Sequence, residues 1–415
     1  MKWAIWGLAA FFYFYEYFLR VAPGVMVPEL MSAFSVNATA IGALSGFYFY
    51  IYAPMQLPVG ILTDRYGARK LLAIAAFVAG MGAIFFSISS YFWIAAFGRI
   101  LMGIGSSFGF VGLVYICSHW FEKKKRGILL GLGSSIGMLG AVMGEGPLRK
   151  MIDAFGWRSV NIQLGVLGFF LAALIFLTVR NEPPEMAEYD KKVKKPTEKI
   201  FANLKMVCKN GHSWINAIAS LFLYISTPGF AALWGISFIH SIYGISTELS
   251  GFAVSMIFIG WAFGGPIIGS ISDKFQQKKK LLAIAALAGA FLMGIIIYVP
   301  NLPLFTLFTL FFLVGFISGA QLLNYSYSID IHPEHIKGTA TAFTNFMVIA
   351  GAALIQPLIG YLLDLNWTGQ MANGIRTYSP EAYKIAMSCF PLAFLLSFVF
   401  TLFLKEIPPK PLWQK

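Results

Sequence analysis

The chain has 415 residues, of which 58% are hydrophobic and only 12% charged, with a formal net charge of +13 and a mean hydropathy of +0.72. A soluble domain carries about a quarter charged residues, so a water-soluble globular fold is excluded. Nucleic-acid binding is not indicated by the charge, because the lysines and arginines cluster in the short segments between apolar runs rather than on one polar domain.

Twelve apolar runs near 20 residues recur from end to end, the length that carries a helix across roughly 30 Å of hydrocarbon. They cover residues 4–28, 41–63, 71–90, 92–119, 127–148, 158–179, 213–240, 247–271, 281–300, 303–329, 338–363 and 383–404, here numbered spans 1 to 12. The only lysines and arginines outside the intervening cytoplasmic segments are Arg149, Lys150, Arg158, Arg376 and Lys384 on the external side and Arg20 and Arg99 within spans. This bias places both termini in the cytoplasm, and the excess charge also meets anionic lipid heads. No cleavable signal peptide is expected, since span 1 is too long and lacks a small-residue cleavage site.

Span 1 carries Tyr13, Glu16, Tyr17 and Arg20 on one face. Glu16 and Arg20 stand four residues apart, in the favourable order for an ion pair. A charge at the centre of a span costs roughly 2.5–3.5 kcal/mol on insertion scales, so such residues face a cavity and carry function; the plain alternative is a structural pair locking span 1 to a neighbour. Arg20 presents a planar fork that grips a carboxylate bidentately. Glu16 is a candidate proton carrier: burial opposes its charge and Arg20 favours it, so an anion that occupies Arg20 frees Glu16 to take a proton. Span 2 adds Tyr48, Tyr52 and Gln56. Span 4 holds Arg99 in its outer half, which either tunes the protonation of a carboxylate or snorkels outward, and His119 near its inner end. Span 5 carries Gly131, Gly140 and Gly144, followed by Glu145.

The polar stretch Asn181 to Gly211, with Pro183, Pro184, Pro196 and the run Lys191-Lys192-Val193-Lys194-Lys195, reads as a cytoplasmic linker on the membrane surface. It divides the chain into a six-helix bundle at 1–180 and another at 212–415 that ends in a short cytoplasmic tail. Span 7 offers Tyr224, Trp234, the helix-interrupting pair Pro228-Gly229 and, near its outer end, His240. Gln321, Asn324, Tyr325 and Ser328 make one polar stripe on span 10, and span 11 has Asn345 and Gln356. Any one of these serves packing as readily as binding. As a set converging from both halves they suit a central cavity, where Tyr and Trp hold the apolar body of a solute and amides hold its polar edge. Cys117, Cys208 and Cys389 form no metal spacing and no disulfide framework. No phosphate-cradling loop or nucleophile–base set is visible, so neither a cofactor nor an enzyme activity is expected.

Two turns half a chain apart repeat each other. Gly60-Ile61-Leu62-Thr63-Asp64-Arg65-Tyr66-Gly67-Ala68-Arg69-Lys70 follows span 2, and Gly269-Ser270-Ile271-Ser272-Asp273-Lys274 through Lys280 follows span 8. Each runs into Lys-Leu-Leu-Ala-Ile-Ala-Ala, the mark of a transporter built from two homologous halves. The first copy resembles the signature between helices 2 and 3 of the major facilitator superfamily, and the second sits where that family has its degenerate copy. The resemblance implies an all-α membrane fold of twelve helices in two pseudo-symmetric bundles. It also implies a gating role for Asp64, Arg65, Gly67, Arg69, Asp273 and Lys274, which latch the cytoplasmic side.

Tyr17-x-x-Arg20, Pro28, Ile41 to Phe47, Gln56-Leu57-Pro58-x-Gly60 and Arg99-x-Leu101-x-Gly103-Ile104-Gly105 look like the anion:cation symporter branch of that superfamily. Its members carry sugar acids and other organic anions, commonly with protons. Leu19 and Ser106 stand where the branch often has carboxylates tied to coupling, which leaves Glu16, with Arg99, as the coupling candidate. Superfamily exporters typically carry a Gly-Pro motif in helix 5; Glu145 replaces the Pro, which favours import. The reading is therefore a monomeric secondary transporter that imports a small carboxylate-containing anion by alternating access with proton symport. Alternatives are a carrier of peptides, amino acids or a siderophore-like polycarboxylate, and less readily a drug exporter or a transporter-shaped receptor. The compact termini favour a bacterial inner membrane, and the partners expected are solute, proton and lipid, with no nucleic acid and no metal.

Overall fold

The computed structural model describes residues 1–182 and 200–405. Among the described residues, ten helices are long and apolar enough to cross a membrane. Spans 1 and 2 meet that test only as a pair bent by 120°. Their helices, Lys2–Val21 and Ala38–Tyr66, rise about 30 Å and about 44 Å at 1.5 Å per residue, enough for two crossings. They score as less apolar because they carry Glu16, Arg20 and a run of tyrosines. Large apolar side chains point outward elsewhere, as at Phe305 (84% exposed), Trp93 (73%) and Phe291 (69%), where hydrocarbon rather than water is the compatible solvent.

Several spans are not single helices. Span 1 ends at Val21, tightens over Ala22–Met26 at Pro23-Gly24 and resumes as Val27–Phe34. Span 4 is Phe92–Ser106 and Gly109–Trp120. Span 7 is Gly211–Tyr224 and Gly235–Tyr243, joined by a wide π-type winding over Thr227–Trp234. Pro228-Gly229 therefore widens the helix rather than interrupting it. Span 10 tightens at Gly319–Gln321 between Leu304–Ser318 and Leu322–Asp330. Irregular backbone at membrane depth is tolerated only where protein or a cavity surrounds it, so spans 1, 4, 7 and 10 belong to the interior. Span 12 breaks too, at Ser388, between Pro380–Met387 and Cys389–Leu402. The remaining spans are Ala68–Ile88, Lys123–Met143, Trp157–Thr178, Thr247–Phe275, Lys278–Tyr298 and Lys337–Leu365.

Two expected boundaries need correction. Span 5 stops at Met143, and an external helix, Gly146–Phe155, begins there. The end of the expected linker is a helix, Ile200–Lys209, whose Val207 is buried in a cluster with Ile336, just before span 11, and Ala340 and Phe343 of span 11; residues 183–199 lie outside the described residues. A two-stranded hairpin, Met371–Ala372 with Ile375–Arg376, occupies the last external loop.

Most hydrogen bonds and ion pairs between the two halves lie at the external ends, and the bond from Asn345 to Gln56 lies deeper in the membrane. Lys150 pairs with Glu248 at 3.0 Å, and Thr39 donates to Asp364 from both its amide and its hydroxyl. Gly42 of span 2 lies so close to the backbone of Gln356 and Pro357 on span 11 that no side chain fits there. Spans 5 and 8 touch at their outer ends, where Gly251 meets the backbone of Glu145 and Gly146. At their inner ends Gly127, Gly131 and Gly269 have open space around them. The two halves meet at the external face.

Candidate functional site

Breaking a helix strands its last carbonyls. At the break of span 1 those of Leu19 and Arg20 accept hydrogen bonds from Arg99 at 2.9 and 3.5 Å, and Ser45 of span 2 accepts another at 3.3 Å. Arg99 is 1% exposed and stacks on Tyr48 at 4.9 Å. Its two Nη groups serve main-chain carbonyls while Nε finds no partner among the described residues, so it ties three spans together; it neither snorkels outward nor bonds a carboxylate among the described residues.

Arg20 lies one turn below. Its Nη2 donates to Glu16 Oε1 at 2.9 Å and its Nε to the Tyr48 hydroxyl at 3.4 Å. The third nitrogen, Nη1, has no hydrogen-bond partner among the described residues. The guanidinium sits over Tyr17 at 4.2 Å and Tyr52 at 4.9 Å. Each desolvated cation–π contact contributes up to about 2 kcal/mol. Glu16 is wholly buried, its Oε2 unpartnered, and it packs against Gly109 where span 4 resumes after its break. Tyr13 reaches the Tyr17 hydroxyl at 3.5 Å, and Tyr48 stacks on Tyr52.

From the second half, Tyr224 faces Tyr17, and both Tyr224 and Tyr325 lie within electrostatic range of Arg20. Tyr325 donates to Asn345 at 2.8 Å, and Asn345 donates across the halves to Gln56 at 3.1 Å. The other expected contacts go elsewhere. Asn324 donates to Asn216 at 3.0 Å and Gln321 to Ser220 at 3.2 Å, tying span 10 to span 7. Trp234 donates to the Gln356 carbonyl and Gln356 to that of Pro228, tying span 7 to span 11. These four residues are helix-to-helix ties here. The structure thus brings together Tyr13, Glu16, Tyr17, Arg20, Tyr48, Tyr52, Tyr224 and Tyr325, with Gln56 and Asn345 at their edge.

At the cytoplasmic turns, Arg69 donates to the Phe176 carbonyl at 2.8 Å, and its amide to Asn181 at 2.9 Å. Gly67 adopts φ 77°, open to glycine at little cost. Arg65, Asp273 and Lys274 are exposed, and the side chain of Asp64 lies outside the described residues. In the second half Lys278 pairs with Asp330. In this structure these turns tie spans within a half.

One cluster carries no signal in the sequence. Asp364, at the outer end of span 11, accepts the Thr39 amide at 2.8 Å and its hydroxyl at 2.5 Å, the Tyr378 hydroxyl at 2.6 Å and Arg376 at 3.3 Å. Tyr378 in turn accepts the Ala38 amide at 3.1 Å. Burial, with Asp364 beside it, pushes the Tyr378 hydroxyl up, so it remains a donor. The start of span 2 is thereby capped from the opposite half.

The family model of the Major Facilitator Superfamily matches residues 8–357. A probable hexose phosphate transport protein of Chlamydia pneumoniae is 23% identical, over 89% of this chain and 88% of its own length. A membrane sensor protein of Salmonella typhimurium is 24% identical over 86% and 84%, and a probable galactarate/D-glucarate transporter of Bacillus subtilis is 22% identical over 85% and 83%. Among solved structures, a bacterial homolog of the human lysosomal transporter Spinster, in an inward-facing and occupied conformation, superposes with a TM-score of 0.75 at 16% identity, covering 96% of this chain and 95% of that one.

Proposed function

The chain belongs to the Major Facilitator Superfamily, and we propose that it imports a small carboxylate-containing anion with a proton, by rocking of the bundles 1–180 and 212–415 about Arg20. The observation that carries this reading is the buried Arg20–Glu16 pair inside a ring of tyrosines. An entering carboxylate takes the free Nη1 and displaces Glu16 from Nη2, completing a bidentate fork. Glu16, deprived of its counter-charge in a buried site, takes a proton. The loaded site carries both inward, and loss of the anion lets Arg20 reclaim Glu16 and expel the proton.

Relatives that carry hexose phosphates and galactarate or glucarate support an anionic solute. Within that class, one available arginine favours a carboxylate over a phosphate dianion, since Arg99 is already spent on carbonyls. A second reading, a sensor that binds its anion without moving it, draws on the Salmonella relative.

Uptake by proteoliposomes separates the readings. With an inward proton gradient, the wild type is expected to concentrate a sugar acid, and a sensor would bind without accumulation. Glu16→Gln is expected to abolish accumulation and preserve counterflow exchange, which needs no net proton movement. The volume is nearly kept, so packing loss does not explain the outcome. A Glu16→Gln protein that still concentrates solute would place the coupling proton elsewhere.

A further inference from the structure

Glu145 joins the end of span 5 to the external helix Gly146–Phe155. It is 0% exposed, and neither carboxylate oxygen has a hydrogen-bond partner among the described residues. It holds the N-cap position of that helix without capping it through its side chain. Its backbone is accounted for: the amide donates to Val142 and the carbonyl accepts from Arg149. The side chain is thus the unexplained part.

The main chain at Glu145 meets the other half. Gly251 of span 8 touches the backbone of Glu145 and Gly146, and the Phe252 ring covers Gly146. On the same side, Gly144 packs on Val21 and on the Phe18 carbonyl of span 1. Glycine on both faces lets the two main chains meet, which excludes water. This contact belongs to the outer gate, and it parts when the protein turns outward.

The charged and titratable groups on every surrounding element are engaged elsewhere. On the external helix, Arg149 binds Glu29, Asp153 and the Val25 carbonyl, and Lys150 binds Glu248 of span 8. On span 6, Arg158 serves the carbonyls of Ser87 and Ser89. On spans 1 and 4, Glu16 and Arg20 pair with each other and Arg99 binds carbonyls. On span 7, His240 binds the Ile245 carbonyl. An ionised carboxylate buried without a partner costs several kcal/mol even after relaxation, so the closed gate holds the neutral acid. Once span 8 withdraws, water solvates the group and favours the anion.

We propose that Glu145 is a proton-binding site of the outer gate: closure of spans 5 and 8 takes up one proton from the external medium, and reopening releases it there. The site is separate from Glu16 and independent of which solute is carried. Closure is then coupled to external acidity. One proton bound per closure changes the closed-to-open ratio by up to about tenfold per pH unit, with acid favouring closure.

The test needs no solute. Nitroxide labels at Ala154→Cys and Val299→Cys, both exposed near the external face, report gate opening by pulsed dipolar spectroscopy in a background without the three native cysteines. Between about pH 5 and about pH 8, the population at the longer distance is expected to rise with pH in the otherwise unaltered protein. In Glu145→Gln it should stay closed with no slope. An unaltered protein without pH dependence, or a Gln variant that keeps the full slope, overturns the proposal. If the Gln variant fails to fold, Glu145→Asp decides: the infrared band of a protonated carboxylic acid in the closed state should shift in frequency, and an unchanged spectrum overturns the assignment.

Discussion

Arg20→Lys protein that is folded and inserted is expected to lose uptake by on the order of 100-fold or more, as a point charge cannot replace the fork. Arg20→Ala removes a buried partner and leaves Glu16 as an uncompensated charge, a defect of about 3–5 kcal/mol in its own right. That cost confuses anchoring with structure, so the double substitution Arg20→Ala with Glu16→Gln is the deciding measurement. It leaves no unpaired charge and should recover thermal stability. If Arg20 anchors the solute, uptake and solute-induced stabilisation stay absent in the double variant, because a ligand raises stability only where it binds the folded state. If Arg20 merely neutralises Glu16, removing both restores exchange, and the anion-anchor reading fails.

Much of the site was legible because its signals are local. The four-residue spacing of Glu16 and Arg20 puts them on one helix face whatever surrounds them, and the tyrosines of span 2 stand on the neighbouring element. The polar stripe of span 10 was legible as a stripe but not as to its direction. Asn324 and Gln321 meet Asn216 and Ser220 of span 7, and a periodicity on one helix does not name the helix it faces. Ser213, Asn216 and Ser220, a matching polar stripe on span 7, were the available clue. Arg99 was ambiguous for a related reason: its carbonyl acceptors exist only because span 1 breaks at Pro23-Gly24, and a composition-based span runs through that break. Ten spans announce themselves by apolarity, while spans 1 and 2 are diluted by the residues that make the site.

The outer latch was not legible at all, since Thr39, Asp364 and Tyr378 are ordinary loop-edge residues that meet only in the folded, outer-closed state. Asp364 sits where the positive end of the span 2 helix presents its unsatisfied amides. It caps that end from the other half, so outward opening must strip it of Thr39 and must part its partner Tyr378 from the Ala38 amide. Hydrogen bonds to a charged group contribute about 1.5–3 kcal/mol each. Because water replaces some of them on opening, we expect Asp364→Ala to cost the closed state about 3 kcal/mol, a shift on the order of 100-fold toward outward opening. Asp364→Asn keeps an acceptor for Thr39 and should shift it less. The readout is Ala353→Cys, buried against Gly46 behind the latch: its modification by a membrane-impermeant thiol reagent from outside should quicken in the Ala variant. Rates equal to those with Asp364 in place would mean that backbone contact at Gly42 and Gly251 alone holds the gate, and that Asp364 only orders the hairpin after span 11.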